Sequence, residues 1–73
     1  MHIKTKQEYR ILGFRKQCPH NYIQQLLAFG FIPGYKFYVV QKAIFGDPYH
    51  VNIGSFSVSL RKSEILLMKV QLV

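Results

Sequence analysis

Hydrophobic and polar positions change period several times along the chain. EYRILGF, residues 8–14, has strand composition and ends near Gly13. Further on the period lengthens. Ile23, Leu26, Leu27 and Gly30 fall on one helical face, leaving Gln24, Gln25 and Ala28 for water. Asn21, with Gln24 three residues later, has the spacing of a capping box. Cys18-Pro19 offers a slightly earlier start, because proline suits the first helical turn. A helix of about two and a half turns does not hold its shape alone, so its apolar face must be docked.

The helix stops at Gly30, where glycine enters the left-handed conformation without a Cβ clash. In such a cap Phe31 folds back onto Leu26. Ile32-Pro33-Gly34-Tyr35 then reads as a turn, with proline setting φ at the second position and glycine giving positive φ at the third. The two breaks redirect the backbone from helix to strand and plant Phe31 and Ile32 in the core.

Period-two alternation resumes. YKFYVVQKA, residues 35–43, puts Phe37, Val39 and Ala43 on one face, and Lys36, Tyr38, Val40 and Lys42 on the other. Gly46-Asp47-Pro48 marks a turn. Tyr49, Val51 and Ile53 then point inward, with His50 and Asn52 outward. Gly54-Ser55 is a two-residue hairpin signal led by glycine. Beyond it Phe56, Val58 and Leu60 alternate inward with Ser57, Ser59 and Arg61 outward. KSEI suits one helical turn capped by Ser63. Met68, Val70 and Leu72 share the inner face of a last strand. Five short strands with one apolar face each are too few for a sandwich. The expected fold is mainly β: a small SH3-like five-stranded barrel, with one short α-helix inserted between strands 1 and 2.

Composition sharpens this picture. Seventy-three residues make one domain. Five Tyr and six Phe are more aromatic surface than so small a core hides, so some should stay exposed. A single cysteine, Cys18, excludes an internal disulfide and fits a reducing compartment. No apolar run approaches the roughly 20 residues of a membrane span, and no signal sequence is visible. Ten Lys and Arg against three acids give a net charge of +7, which favours an acidic partner. The bases are spread through every segment.

Three motifs in order resemble one family. L-x-x-x-G-F-x-P-G (Leu26, Gly30, Phe31, Pro33, Gly34), then G-D-P (Gly46, Asp47, Pro48), then L-R-x-x-E (Leu60, Arg61, Glu64) resemble ferrous iron transport protein A, FeoA, from about Tyr9 to Val70. The resemblance implies a small cytoplasmic accessory protein of bacterial ferrous iron uptake. Its implied partner is FeoB, a membrane transporter with a cytoplasmic G-protein domain, and the membrane association it implies is only through that partner. It implies a binding module without catalysis or cofactor.

The residues agree with a non-catalytic reading. Glu8, Asp47 and Glu64 are the only carboxylates, and they sit at a strand start, a turn and a helical turn. Paired acid–base work needs two carboxyls in one pocket. Asp47 reads as a turn residue held to nearby backbone, and Glu64 as a helix-start residue. Cys18 and His20 around a proline, with His50 and His2 remote, are a poor match to a closed metal site and read as surface residues without a role. The alternative is a basic SH3-like module that serves as an interaction domain of the kind the resemblance implies in metal-dependent regulators, or that binds single-stranded nucleic acid by stacking and phosphate contacts, but the bases do not line one strand face between aromatics. A protein-binding surface is the leading expectation. Its candidate contacts are Tyr22, Gln25 and Phe29 on the open side of the helix, and the turn aromatics Phe45 and Tyr49.

Overall fold

The computed structural model describes residues 2–73. Strands β1 (Gln7–Phe14), β2 (Lys36–Lys42), β3 (Tyr49–Ile53), β4 (Phe56–Leu60) and β5 (Met68–Leu72) form one antiparallel sheet, ordered β4-β3-β2-β1-β5. Helix α1 (His20–Ala28) joins β1 to β2, and the single turn α2 (Lys62–Ile65) joins β4 to β5. The architecture is mainly β and SH3-like, but the ladder does not close: β4 and β5 are its two edges. The expected barrel is therefore a curled open sheet, with α2 spanning the seam.

The core forms where alternation brings inner faces together. Tyr9 and Ile11 of β1, Phe37 and Val39 of β2, and Tyr49, Val51 and Ile53 of β3 are buried with Leu26, Phe31, Leu60, Ile65 and Met68. Tyr9 stacks on Phe37 at 5.8 Å, and Phe31 meets Phe37 edge-on at 5.7 Å, the offset geometries that aromatic rings prefer. Ile3 is also buried, and the Lys4 N–H donates to the Tyr9 hydroxyl at 2.9 Å. The segment ahead of β1 thus closes over the core, a role the sequence pattern did not suggest.

Two bulges reset the alternation. The β2–β3 register shifts between Val39 and Gln41, leaving Val40 as the extra residue. Ala43, expected inward with Phe37 and Val39, is therefore exposed beyond the end of β2. A second shift between Ile11 and Gly13 leaves Leu12 as the extra residue, exposed on the outer face. At the edges the inner face runs out of cover. Leu60 and Met68 are buried and Val58 and Val70 half-buried, whereas Phe56 and Leu72, expected inside, are exposed.

The helix exit matches its sequence. The Phe31 N–H donates to the Leu26 carbonyl at 2.9 Å, and the Gly30 N–H to the Leu27 carbonyl at 3.0 Å. This is the Schellman pair, with Gly30 at φ +102°. Phe31 is buried beside Leu26, as the cap requires. The Tyr35 N–H donates to the Ile32 carbonyl at 2.9 Å across the Pro33-Gly34 turn, where Gly34 has φ +96°. That turn is stitched to β1: the Gly34 N–H donates to the Ile11 carbonyl at 2.7 Å, and the Ile11 N–H to the Tyr35 carbonyl at 2.9 Å. Ile32, expected in the core, faces outward. It occupies the first turn position, one residue past the buried Phe31.

Of the two starts the sequence offers for α1 the earlier one, at Cys18-Pro19, is the one that forms. Pro19, not Asn21, is the N-cap of α1, and its carbonyl accepts from the Tyr22 and Ile23 N–H groups at 3.0 Å. Asn21 lies inside the first turn. Arg61, not Ser63, caps α2, and the carboxylates that hold that end are described next.

Candidate functional site

Two acids hold the start of α2, one from α2 itself and one from the β2–β3 loop. The Asp47 carboxylate accepts from the Lys62 N–H at 2.8 Å, and Glu64 Oε1 accepts from the Arg61 N–H at 2.8 Å. Both charges therefore meet the positive end of the helix, where carboxylates are stabilising. The sequence assigns Glu64 to this role correctly. Asp47 is not held to its own turn; its partner lies 15 residues away. Glu64 Oε2 also accepts from the Tyr22 hydroxyl at 2.7 Å, 42 residues distant. Burial first, and the Glu64 carboxylate second, push the Tyr22 hydroxyl well above the usual tyrosine range. The helix face, the G-D-P turn and the L-R-x-x-E turn thus form one hydrogen-bonded frame.

This frame sorts the candidate contacts. Tyr22 is half-buried against the core and faces Glu64, so its ring belongs to the docked side of α1, not the open side. Tyr49 is 3% exposed: as the first residue of β3 it points inward opposite Leu60 and offers no surface. Gln25 is exposed, and Phe29, the α1 C-cap, is 46% exposed. Phe45 is 95% exposed, on the loop between β2 and β3. The five candidates therefore do not make one surface.

Other exposed apolar residues complete two separate patches. Around the end of α1, the position a Gly30 Cβ would take lies 3.8 Å from Ile53 Cγ1. Ile53 pairs across the β3–β4 hairpin with Phe56, which is 55% exposed. Phe29, Ile32 and Phe56 thus flank a single helix–hairpin contact. The second patch is Ile44 with Phe45. Phe56 was misassigned because strict alternation ignores that β4 is an edge. Ile44 is not among the candidate contacts, although its place four residues from Pro48 and two from Gly46 marks it as a turn residue.

Chemical candidates are few. Among the described residues no three His, Cys, Asp or Glu side chains are grouped to hold a metal ion. Cys18 is buried and its thiol leans on the Pro19 carbonyl at 3.8 Å, so it is a core residue, not a surface one. His2 and His20 are exposed and His50 is half-buried. Glu8 sits 3.8 Å from Lys36 in an exposed pair on the outer sheet face. The carboxylates are therefore engaged one by one in structural contacts. No helix among the described residues is long and apolar enough to cross a membrane.

Comparison with known proteins fits this geometry. A family model described as the FeoA domain matches residues 1–72. The solution structure of iron(II) transport protein A from Clostridium thermocellum superimposes with a TM-score of 0.85 at 31% identity, over 97% of this chain and 43% of that one. The chain thus spans less than half the length of that relative. The FeoA-like protein of Clostridium acetobutylicum gives a TM-score of 0.83 at 25% identity, over 97% of this chain and 80% of that one. The zinc-complexed FeoA of Stenotrophomonas maltophilia, described as a prokaryotic SH3 domain protein, shares the fold with a TM-score of 0.80 at 21% identity, over 94% and 84% of the two chains. The matched span takes in the helix exit, the G-D-P turn and the α2 start that the structure ties together, and on that ground this chain belongs to the FeoA family.

Proposed function

We propose that the chain is a small cytoplasmic accessory protein of bacterial ferrous iron uptake. In this reading it acts by docking on the G-protein domain of a FeoB-like membrane transporter. Family membership supports the iron context: the Clostridium thermocellum relative is an iron(II) transport protein, and the Stenotrophomonas maltophilia protein is discussed as a ferrous iron transport activating factor. The observation that carries a docking role is the apolar surface at the end of α1. Phe29 and Ile32 lie on either side of Gly30 in the chain and Phe56 is paired with Ile53, where the helix exit faces the β3–β4 hairpin, with Gln25 one helical turn before Phe29. Aromatic anchors on a rigid frame are what binding hot spots are made of. The Schellman cap and the two-residue hairpin hold this surface in place before any partner arrives, which lowers the entropy lost on binding.

The test is titration of the chain against a nucleotide-loaded cytoplasmic G-protein domain of a FeoB-like transporter. Binding at tens of micromolar or tighter is expected. Phe29→Ala and Phe56→Ala should each weaken it about 10- to 30-fold, as truncation of an aromatic anchor does. Absence of binding at tens of micromolar, or unchanged affinity in both variants, overturns the reading. Salt-sensitive binding of a labelled single-stranded oligonucleotide in its place would turn attention to the basic surface instead.

A further inference from the structure

The second apolar patch is of a different kind. Ala43, Ile44, Phe45 and Gly46 form a turn in which the Gly46 N–H donates to the Ala43 carbonyl at 2.8 Å. Ile44 and Phe45 are its two corner residues, 91% and 95% exposed. Corners of this sort are ordinarily Gly, Pro, Asn, Asp or Ser. Two large adjacent apolar side chains there are an anomaly of placement, not a leftover of a small core. The corner is also held out firmly. The Ala43 N–H donates to the Pro48 carbonyl at 2.9 Å, Gly46 takes φ +91°, and Asp47 anchors the loop to the Lys62 N–H at 2.8 Å.

We propose that this corner inserts into the interfacial layer of an anionic lipid bilayer. Size argues against a protein partner for the tip taken alone. One aromatic side chain buries about 150–250 Å², so two apolar residues fall well short of the roughly 800 Å² per partner of a stable interface. A bilayer, unlike a protein face, envelops a convex tip from every side and needs no matching contour. Charge selects the lipid. Lys42 ends β2 directly before the loop, and Arg61 and Lys62 start α2 where Asp47 is anchored. Arg15 reaches the same helical turn, donating to the Leu66 carbonyl at 3.0 Å. The two carboxylates nearby, Asp47 and Glu64, are turned to backbone N–H groups of α2. An apolar tip with bases on the elements that hold it is the combination that binds peripherally to acidic headgroups.

This proposal does not depend on the transporter reading, and its test contains no transporter. The chain has no tryptophan, so Phe45→Trp makes a single reporter at the tip. Its fluorescence is followed on addition of phosphatidylglycerol vesicles and, separately, phosphatidylcholine vesicles. The emission should move to the blue and become quenchable by brominated acyl chains on the anionic vesicles, far less on the neutral ones. Phe29→Trp, on the other patch, should not respond. Replacing Lys42, Arg61 and Lys62 together by Gln should weaken vesicle binding at least about tenfold, and Ile44→Ser with Phe45→Ser should abolish co-sedimentation of the chain with the anionic vesicles. Circular dichroism of each variant confirms that it is folded. No blue shift on anionic vesicles overturns the proposal, as does an equal response of Phe29→Trp. A shift that grows with protein concentration without lipid assigns the tip to a second copy and overturns it as well.

Discussion

Two segments of this protein have nearly the same composition, and their aromatic residues have opposite fates. Phe31-Ile32 lies between Gly30 and Pro33-Gly34; Ile44-Phe45 lies between Ala43 and Gly46. Each is a pair of large apolar residues beside a glycine with positive φ, Gly30 at +102° and Gly46 at +91°. Yet Phe31 is wholly buried, while Ile44 and Phe45 are almost wholly in water. The difference lies in the hydrogen bonds. Phe31 donates to Leu26 as the last member of a helix cap, and so is turned back over the helix. Ile44 and Phe45 are spanned by the Ala43–Gly46 bond and so stand at its apex. Burial of an apolar residue near a break is set by its position in the local bond pattern, and hydrophobicity alone does not determine it.

The comparison can be broken most directly at its aromatic members. Phe31→Ala should cost about 3–5 kcal/mol, enough to leave a domain of this size largely unfolded. Phe45→Ala should stay within about 0.5 kcal/mol of the parent. Equilibrium denaturation in urea measures both, and a comparable loss in the two variants would show that the tip is packed. Next come the glycines. Gly30→Ala and Gly46→Ala should each cost about 1–2 kcal/mol from left-handed strain, because the added methyl group meets only ordinary contact at one site and open space at the other. A much larger loss at Gly30 would mean that the helix–hairpin contact, not φ, sets its cost.

The smaller effects sharpen what anchors the exposed loop. Asp47→Asn should lower stability by about 1 kcal/mol, by weakening a charged bond to the Lys62 N–H. An unchanged denaturation midpoint would remove Asp47 from the frame. Tyr22 gives the finest probe. Burial and the Glu64 carboxylate raise its proton affinity in the folded chain, so the neutral hydroxyl is the form that folding favours. Its contribution is complete below the ordinary tyrosine value of about 10 and declines as the pH climbs above it. Tyr22→Phe should therefore show a shallower alkaline fall in melting temperature than the parent. Parallel curves above that pH would contradict the raised affinity.

Much of the fold is legible in the sequence, and the reasons are local. The Gly30 exit and the Pro33-Gly34 turn were readable because each is specified by four to six consecutive residues. Alternation placed Tyr49, Val51 and Ile53 correctly because β3 is paired on both sides. It failed at Ala43, where the bulge at Val40 resets the phase, and at Phe56 and Leu72, where an edge strand lacks a neighbour to complete the cover. The capping roles of Asn21 and Ser63 failed because the backbone of Pro19 and two carboxylates already serve those ends. The candidate contacts fared unevenly. Gln25, Phe29 and Phe45 are on the surface, but nothing local in the sequence joins Tyr22 to Glu64, or separates the α1 patch from the loop tip.

The double hold on α2 has a consequence for the behaviour of many copies together. Asp47 and Glu64 are fixed in place by peptide N–H groups and Glu8 lies beside Lys36, so the three negative charges cannot be redistributed among ten Lys and Arg, and the net charge of +7 stands. Two molecules of that net charge repel on average, over a range of about 10 Å in 0.1 M salt. Crowded in one place, copies would hold each other at arm's length, and added salt, not dilution, would be what lets them approach.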